Sequence, residues 1–404
     1  MGTQGTSKRA FLVILDSVGI GEMPDAADFG DVGADTLGSI AQTAGLKIPN
    51  LCALGLANIQ RGSSPPLMGL SPAPAPGAAF GRLAEKSQGK DTATGHWELC
   101  GVVTAEGFKT FPDGFPDGLL DKFIAQAGVD GVLGNKAVSG TVILEELGGE
   151  HVRTGWPIIY TSADPVFQIA AHEDVVPLET LYRWCKIAYD IMIPAGQNRV
   201  IARPFVGTAP NFTRTYNRKD FACPPPAPTL LERLTKAGVE VTGVGKIPNI
   251  FADRGITHAV PTKGNDHGVE ATLELLRSDR SGLIFTNLVD FDARYGHRRN
   301  PEGYAACLER FDTQLPDLLE ALRPDDLLFI SADHGNDPTF RGTDHTREYV
   351  PLLVTGAQVK AGVDLGTRAS FADVGQTIAD FFGISPLVSG ESFLDSITHL
   401  TSRS

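Results

Sequence analysis

Asp16, Asp292, His297, Asp333, His334 and His345 are the residues of this 404-residue chain whose types and spacing could hold cations. Three carboxylates and three imidazoles mix hard oxygen with borderline nitrogen donors, which suits Mn2+ or Zn2+ better than Ca2+. Six such donors are enough for two metal ions with positions left open for a substrate. The densest stretch is Ile330-Ser331-Ala332-Asp333-His334-Gly335-Asn336-Asp337, with His345 ten residues after Gly335. Taken alone, it also fits a loop-capping aspartate beside two surface histidines. Repetition tells against that: Asp16, and Asp292 with His297, follow apolar runs in the same manner.

A further cluster, Gly89-Lys90-Asp91-Thr92-Ala93-Thr94-Gly95-His96-Trp97-Glu98, has no apolar strand before it and is flanked by glycine. A hydroxyl on such a turn can coordinate a metal, which lowers its pKa and makes it a usable alkoxide nucleophile. Thr92 is the candidate. The competing reading is a Thr-rich helix N-cap in which Asp91 and Thr92 accept backbone N–H groups. Both can hold together, because a helix N-terminus also favours phosphate.

The elements that must position these groups are apolar runs. Ala10–Leu15, Leu283–Val289 and Asp326–Phe329 with the residues after it read as buried parallel strands. Their carboxyl ends would then carry Asp16, Asp292 and Asp333, at the edge where ligands gather in open α/β sheets. Beyond the proline-rich linker at 222–228, the pattern predicts helix at 229–237, strand at 239–244 and helix at 266–278. It continues with the strand from 283, helix at 301–322, the strand from 327, strand at 350–354 and helix at 370–382. This alternation predicts an α/β core, a mostly parallel sheet with helices on both faces.

Between about 108 and 226 the strand-carboxylate-glycine grammar stops. That segment carries a strand-like piece at 156–160 and a helical one at 178–192, and reads as a domain inserted into a discontinuous core of 1–107 and 227–404. It contains Arg199, Arg203, Arg214 and Arg218, guanidiniums suited to bidentate phosphate recognition, though any one could be a solvated arginine on a strand edge. Lys246, just past the strand at 239–244, could reach a substrate oxygen or could be an ordinary solvated lysine. Gly243 and Gly245 do not make a dinucleotide fingerprint, since the third glycine and the following ribose-binding acid are missing.

A chain of this length favours two domains. Its net charge of −13 argues against nucleic acid or an anionic membrane as partner, and means that an anionic small-molecule substrate must be drawn in by local positive charge. No apolar run approaches the ~20 residues that span a bilayer, and the first residues lack a signal-peptide core, so a cytoplasmic protein is expected. Cys52, Cys100, Cys185, Cys223 and Cys307 are odd in number and scattered, which predicts free, mostly buried thiols.

In order, Asp16, Asp91-Thr92-Ala93-Thr94-Gly95-His96, Asp292, His297, Asp333-His334 and His345 resemble the alkaline phosphatase superfamily, which includes the cofactor-independent phosphoglycerate mutases. The longer strings at 89–98, 160–173, 202–207 and 290–300 are similar to those of the bacterial phosphopentomutases, from about Arg9 to near Leu394. The resemblance implies an alkaline-phosphatase-like core with an inserted α+β cap, and two Mn2+ ions. One ion would be held by Asp16, Thr92, Asp333 and His334, and the other by Asp292, His297 and His345. It also implies a phosphothreonine at Thr92 that donates to O1 of ribose 5-phosphate, a 1,5-bisphosphate intermediate, and a bisphosphorylated sugar as activator. Asp164 would recognise ribose hydroxyls, with Arg199, Arg203 and Lys246 holding the distal phosphate. A metal-dependent phosphatase would share every metal ligand, and so would a phosphoglycerate mutase, though with serine where Thr92 stands. A scaffold without catalysis predicts erosion among these residues, and none is eroded.

Overall fold

The computed structural model describes residues 8–398 except 63, 163 and 164. The chain divides into two compact units, Met1–Glu106 with Pro225–Ser404 and, between them in sequence, Gly107–Pro224. The first unit opens with β1 (Arg9–Leu15), α1 (Thr36–Ala44), α2 (Pro49–Leu54), β2 (Ala79–Leu83) and α3 (Thr92–Leu99). The second comprises α4 (Asp117–Ala127), β3 (Leu133–Ala137), α5 (Gly140–Thr154), β4 (Ile158–Thr161), β5 (Val166–His172), α6 (Leu178–Met192), β6 (Arg199–Thr208), β7 (Asn211–Arg214) and β8 (Lys219–Ala222). The chain then returns to the first unit through α7 (Leu230–Lys236), β9 (Val241–Val244), α8 (Ile247–Ile250), β10 (His258–Val260), α9 (Asn265–Arg277) and β11 (Gly282–Leu288). It finishes with α10 (Pro301–Glu320), β12 (Leu327–Ser331), β13 (Val350–Thr355), β14 (Asp364–Arg368), α11 (Ala372–Phe382) and α12 (Leu394–Ile397).

The first unit is built on an eight-stranded sheet of order β10-β9-β11-β1-β12-β13-β2-β14. Every residue of β1, β11 and β12 is buried, the signature of parallel strands covered on both faces. The sheet is mostly parallel, as expected, and β13 alone runs antiparallel to its neighbours, β12 and β2. The physical reason is the connection: residues 332–349 form a loop with no crossover helix, so the chain can turn back beside the strand it left. Helix starts follow their local signals. Thr229 and Glu232 close a capping box on α7, and Asn300 caps α10 with Pro301 at its first turn.

The second unit is a mixed sheet with helices. Its strand order is β3-β4-β5-β6-β7, with β8 also on β6. Alternate residues serve two cores. Ile159, Phe167, Ile169 and Ala202 pack with Phe123 of α4 and Trp184 of α6, while Ile158, Tyr160, Ala170 and Phe205 pack with Ile143 and Leu144 of α5. Cys52, Cys100 and Cys185 are buried free thiols, Cys307 is a half-buried one, and Cys223 is half-buried. Among the described residues no helix is long and apolar enough to cross a membrane.

Candidate metal centre

Three adjacent strands of the first sheet, β11-β1-β12, end together. Leu15 lies opposite Leu288 and Ile14 opposite Ser331, and the Asp16 amide donates to the Leu288 carbonyl at 3.3 Å. Asp16, Asp292, Asp333 and His334 therefore leave the sheet along one edge. Past β11 the backbone winds through a π-helical stretch, Phe291–Gly296. Its i to i+5 bonding, seen between the His297 amide and the Asp292 carbonyl at 3.1 Å, stacks residues five apart. His297 Nε2 accordingly lies 3.2 Å from Asp292 Oδ2.

His345 arrives by a different device. Gly335 and Thr346 exchange both backbone hydrogen bonds, at 3.2 and 2.8 Å, and so close the loop between them. That closure stacks the His345 ring on His334 at 4.0 Å between centroids and sets its Nε2 at 3.4 Å from Asp292 Oδ1 and 3.2 Å from His297 Nε2. A second group gathers around His334 Nε2, with Thr92 Oγ1 at 3.2 Å, Asp333 Oδ2 at 3.3 Å and Asp16 Oδ1 at 3.6 Å. Asp292 belongs to both groups, because its carboxylate also comes within 4.8 Å of donor atoms of Asp16 and His334.

Two atoms test whether a cation fits. Asp16 Oδ1 and Asp333 Oδ2 are buried and accept no hydrogen bond. Unpaired buried acceptors are costly, and two aimed into one cluster are what a cation site leaves when seen without its ion. The opposite oxygens are held: Asp16 Oδ2 accepts from Asn287 Nδ2 at 2.7 Å, and Asp333 Oδ1 from the Ser17 amide at 3.0 Å. Asn336 Nδ2 holds Asp292 Oδ1 at 2.8 Å. The Nδ1 atoms of His334 and His297 lie 3.0 and 2.6 Å from the carbonyls of Gly335 and Thr343, which leaves Nε2 as the ligating nitrogen.

Electrostatics are consistent with that use. Burial, and then the charges of Asp333 and Asp292, push the Asp16 carboxyl well up, with Lys246 opposing. Burial would raise Asp292 and Asp333 too. Instead His297 and His345 hold Asp292 well below the usual carboxylate range, and His334 and His96 lower Asp333. His334 is pushed down by burial, toward the neutral form that binds metals.

Thr92 is the first residue of α3. Asp91 takes the capping role alone, accepting from the Ala93 and Thr94 amides at 3.1 and 3.2 Å, so the double cap expected as the alternative is not formed and Thr92 Oγ1 faces His334. Gly95 explains how α3 approaches so closely: a Cβ there would lie 1.9 Å from the Asp333 carbonyl oxygen. His96 Nδ1 lies 2.8 Å from the Thr92 carbonyl and 3.1 Å from Asp333 Oδ2.

Of the remaining predicted residues, three stand on other elements. Lys246 is exposed at the start of α8, past the carboxyl end of β9. Arg199 and Arg203 stand on β6 of the second unit. There Arg203 Nε donates to Gln168 Oε1 at 3.0 Å, Arg218 pairs with Asp220 at 2.7 and 2.6 Å, and Arg199 lies 4.0 Å from the same carboxylate. Burial and the charges of Arg218 and Arg214 push Arg203 down to about 10. Asp164 lies outside the described residues. Asn287, Asn336 and Ser17 were not anticipated from the sequence. Only Asn287 left a signal there, as an amide inside an otherwise apolar strand.

Sheet order, strand-end carboxylates and converging imidazoles together define a metalloenzyme, and residues 8–386 match the model of the Metalloenzyme superfamily. Within that superfamily the chain belongs to the phosphopentomutase family. It is 55% identical over 392 residues to the phosphopentomutase of Anaeromyxobacter dehalogenans strain 2CP-C, covering 97% of this chain and 98% of the relative. It is also 55% identical over 393 residues to that of Symbiobacterium thermophilum, covering 96% and 98%. In fold it is similar to the PH0037 protein of Pyrococcus horikoshii, with a TM-score of 0.50 and 16% identity over 95% of this chain and 99% of that one. Leishmania mexicana phosphoglycerate mutase gives the same TM-score at 14% identity over 97% and 98%.

Proposed function

We propose that this enzyme is a phosphopentomutase that interconverts ribose or deoxyribose 1-phosphate and 5-phosphate through phosphorylated Thr92. Family membership supports the isomerase activity. The observation that carries the Thr92 route is that this half-buried residue starts α3 with its Oγ1 3.2 Å from His334 Nε2, in a cluster with two buried carboxylate oxygens without hydrogen bonds.

In this reading Asp16, Thr92, Asp333 and His334 would hold one divalent ion and Asp292, His297 and His345 the other, with Mn2+ suited to the mixed donors. What such ions supply is a lowered pKa for the hydroxyl and neutralised charge on the phosphoryl oxygens. Phosphorylated Thr92 donates its phosphoryl group to O1 of ribose 5-phosphate, giving a 1,5-bisphosphate. After the sugar turns over, Thr92 Oγ1 takes the phosphoryl group from O5 and releases ribose 1-phosphate. A bisphosphorylated sugar charges Thr92 at the outset, which makes it an activator.

Residues 108–226 act as the cap in this scheme. Arg199 and Arg203, with Lys246, hold the distal phosphate, and Asp164 reads ribose hydroxyls. Local positive charge is what an anionic substrate requires on a chain of net charge −13. Holding the phosphoenzyme away from water separates a mutase from a phosphatase. A cytoplasmic setting completes the reading, supported by the free thiols of Cys52, Cys100, Cys185 and Cys307. The test is incubation with ribose 1-phosphate and Mn2+, following ribose 5-phosphate and free phosphate together. Ribose 5-phosphate without stoichiometric phosphate is expected, and free phosphate alone would make the enzyme a phosphatase.

A further inference from the structure

Two residues beyond His345, the chain places a guanidinium in the protein interior. The Arg347 side chain has 0% exposure and is saturated with acceptors. Nη1 donates to Glu85 Oε2 at 2.7 Å and to the Gly89 carbonyl at 2.6 Å. Nη2 donates to Asp25 Oδ2 and to the Glu85 carbonyl, each at 2.9 Å, and Nε reaches the Asp25 carboxylate at 3.2 Å. Its face lies 4.6 Å from the Phe29 ring centroid. Burying a guanidinium this completely costs several kcal/mol unless every N–H is paired, and this one is paired on three sides.

Those partners are not scattered. Glu85 and Gly89 belong to the segment that leads into Asp91 and Thr92, while Arg347 belongs to the segment that carries His345. A second tie runs beside the first. Asp31 Oδ2 accepts both the Arg347 amide at 2.9 Å and Lys90 Nζ at 3.0 Å, and Lys90 Nζ also lies 3.2 Å from Asp344 Oδ2. Residues 344–347 and residues 85–90 are thus fastened together through one arginine, one lysine and two aspartates. Neither segment is in a helix or strand, so no ladder of backbone bonds would hold this spacing otherwise.

We infer that Arg347 is a positioning residue for phosphoryl transfer, one that sets the Thr92 hydroxyl relative to the histidine-bearing loop. This rests on the reading of Thr92 as nucleophile. Arg347 touches no reacting atom in that scheme. Its effect is on where the 85–90 segment delivers α3, and a misplacement of about 1 Å can cost on the order of a hundredfold in rate.

The experiment compares Arg347→Lys, Asp25→Asn and Thr92→Ala in the full chain loaded with Mn2+. Lysine keeps the buried charge but cannot reach Gly89, Glu85 and Asp25 at once. Expected for Arg347→Lys is a kcat roughly ten- to a hundredfold lower, with KM for ribose 1-phosphate and bound metal per chain unchanged. Phosphorylation of Thr92 from ribose 1,5-bisphosphate, followed by intact mass in a single turnover, should slow by the same factor. Asp25, whose side chain is 32% exposed, removes one acceptor and should give a smaller fall of the same kind. A folded Arg347→Lys protein with parental kcat overturns the inference, as does a fall matched by lost metal or by an equal rise in KM. If Arg347→Lys does not fold, parental kcat in Asp25→Asn overturns it instead. Full activity in Thr92→Ala would sink the nucleophile reading itself, an outcome separate from either.

Discussion

The metal centre of the first unit and the arginine cluster of the second are charged in opposite senses, and they are built differently. At the centre, three buried carboxylates converge with two of their oxygens lacking any hydrogen bond. In the second unit, Arg218 pairs with Asp220, Arg199 lies 4.0 Å from the same carboxylate, Arg203 donates to Gln168 and Arg214 lies 3.4 Å from the Tyr160 hydroxyl. The first gathers carboxylates and fits cations; the second gathers guanidiniums, as the proposed anion site requires. Rigidity differs too. The carboxylates stand at the ends of fully buried strands and are held from behind by Asn287, Asn336 and the Ser17 amide, whereas Arg214 and Arg218 are exposed. A centre that must fix reacting atoms needs the first construction, and a site that holds a phosphate while a sugar turns over tolerates the second.

Breaking the first side should have the largest effect. Thr92→Ala is expected to abolish turnover while fold and metal content stay near normal; phosphopeptide recovered from Thr94 of the working enzyme would overturn the assignment. Next, His334→Ala and His345→Ala should each lose about one bound ion per chain, since each removes a donor from a different group. Elemental analysis with unchanged stoichiometry in both would defeat the two-ion centre. Gly95→Ala probes the seam between them and α3. Its methyl group would lie 1.9 Å from the Asp333 carbonyl oxygen, so the helix must shift. A loss of about 1–3 kcal/mol in unfolding free energy is expected, together with a fall in kcat, and parental values for both would mean that the helix is free to move.

The other side of the comparison should answer in rate, with the metals untouched. Arg203→Ala removes one charge-assisted contact and should cost about 1.5–3 kcal/mol, or roughly ten- to a hundredfold in isomerisation. Phosphorylated Thr92 should still form and should lose phosphate to water more often. Parental isomerisation with no extra free phosphate would move the anion site elsewhere in the second unit.

Much of this was legible in the residues because parallel strands bury both faces and so write themselves as unbroken apolar runs. Ala10–Leu15 and Leu283–Val289 marked β1 and β11, and with them the positions of Asp16 and Asp292. The helix at 178–192 was found to the residue, since its apolar face is strongly periodic. What stayed hidden depends on contacts distant in sequence. The place of β13 between β12 and β2 joins strands some 270 residues apart. The π-helix after β11 carries no pattern of its own, and Asp91 displaced Thr92 as cap through backbone geometry alone. Arg347 read as one charge among many, because the acceptors that surround it come from residues 25, 85 and 89.

The interruption of the first unit by the second also fixes an order of assembly during synthesis. Every strand of the second sheet lies in one uninterrupted stretch, so its pairing can finish once residue 224 has left the ribosome. Strand β1 is made first, yet both of its neighbours, β11 and β12, are encoded after residue 281. Until they emerge, Arg-Ala-Phe-Leu-Val-Ile-Leu is an apolar, nearly uncharged segment of the kind that pairs with other chains. The nascent protein therefore carries an aggregation-prone strand unpaired for most of its translation, and refolding from denaturant should be slow and sensitive to protein concentration.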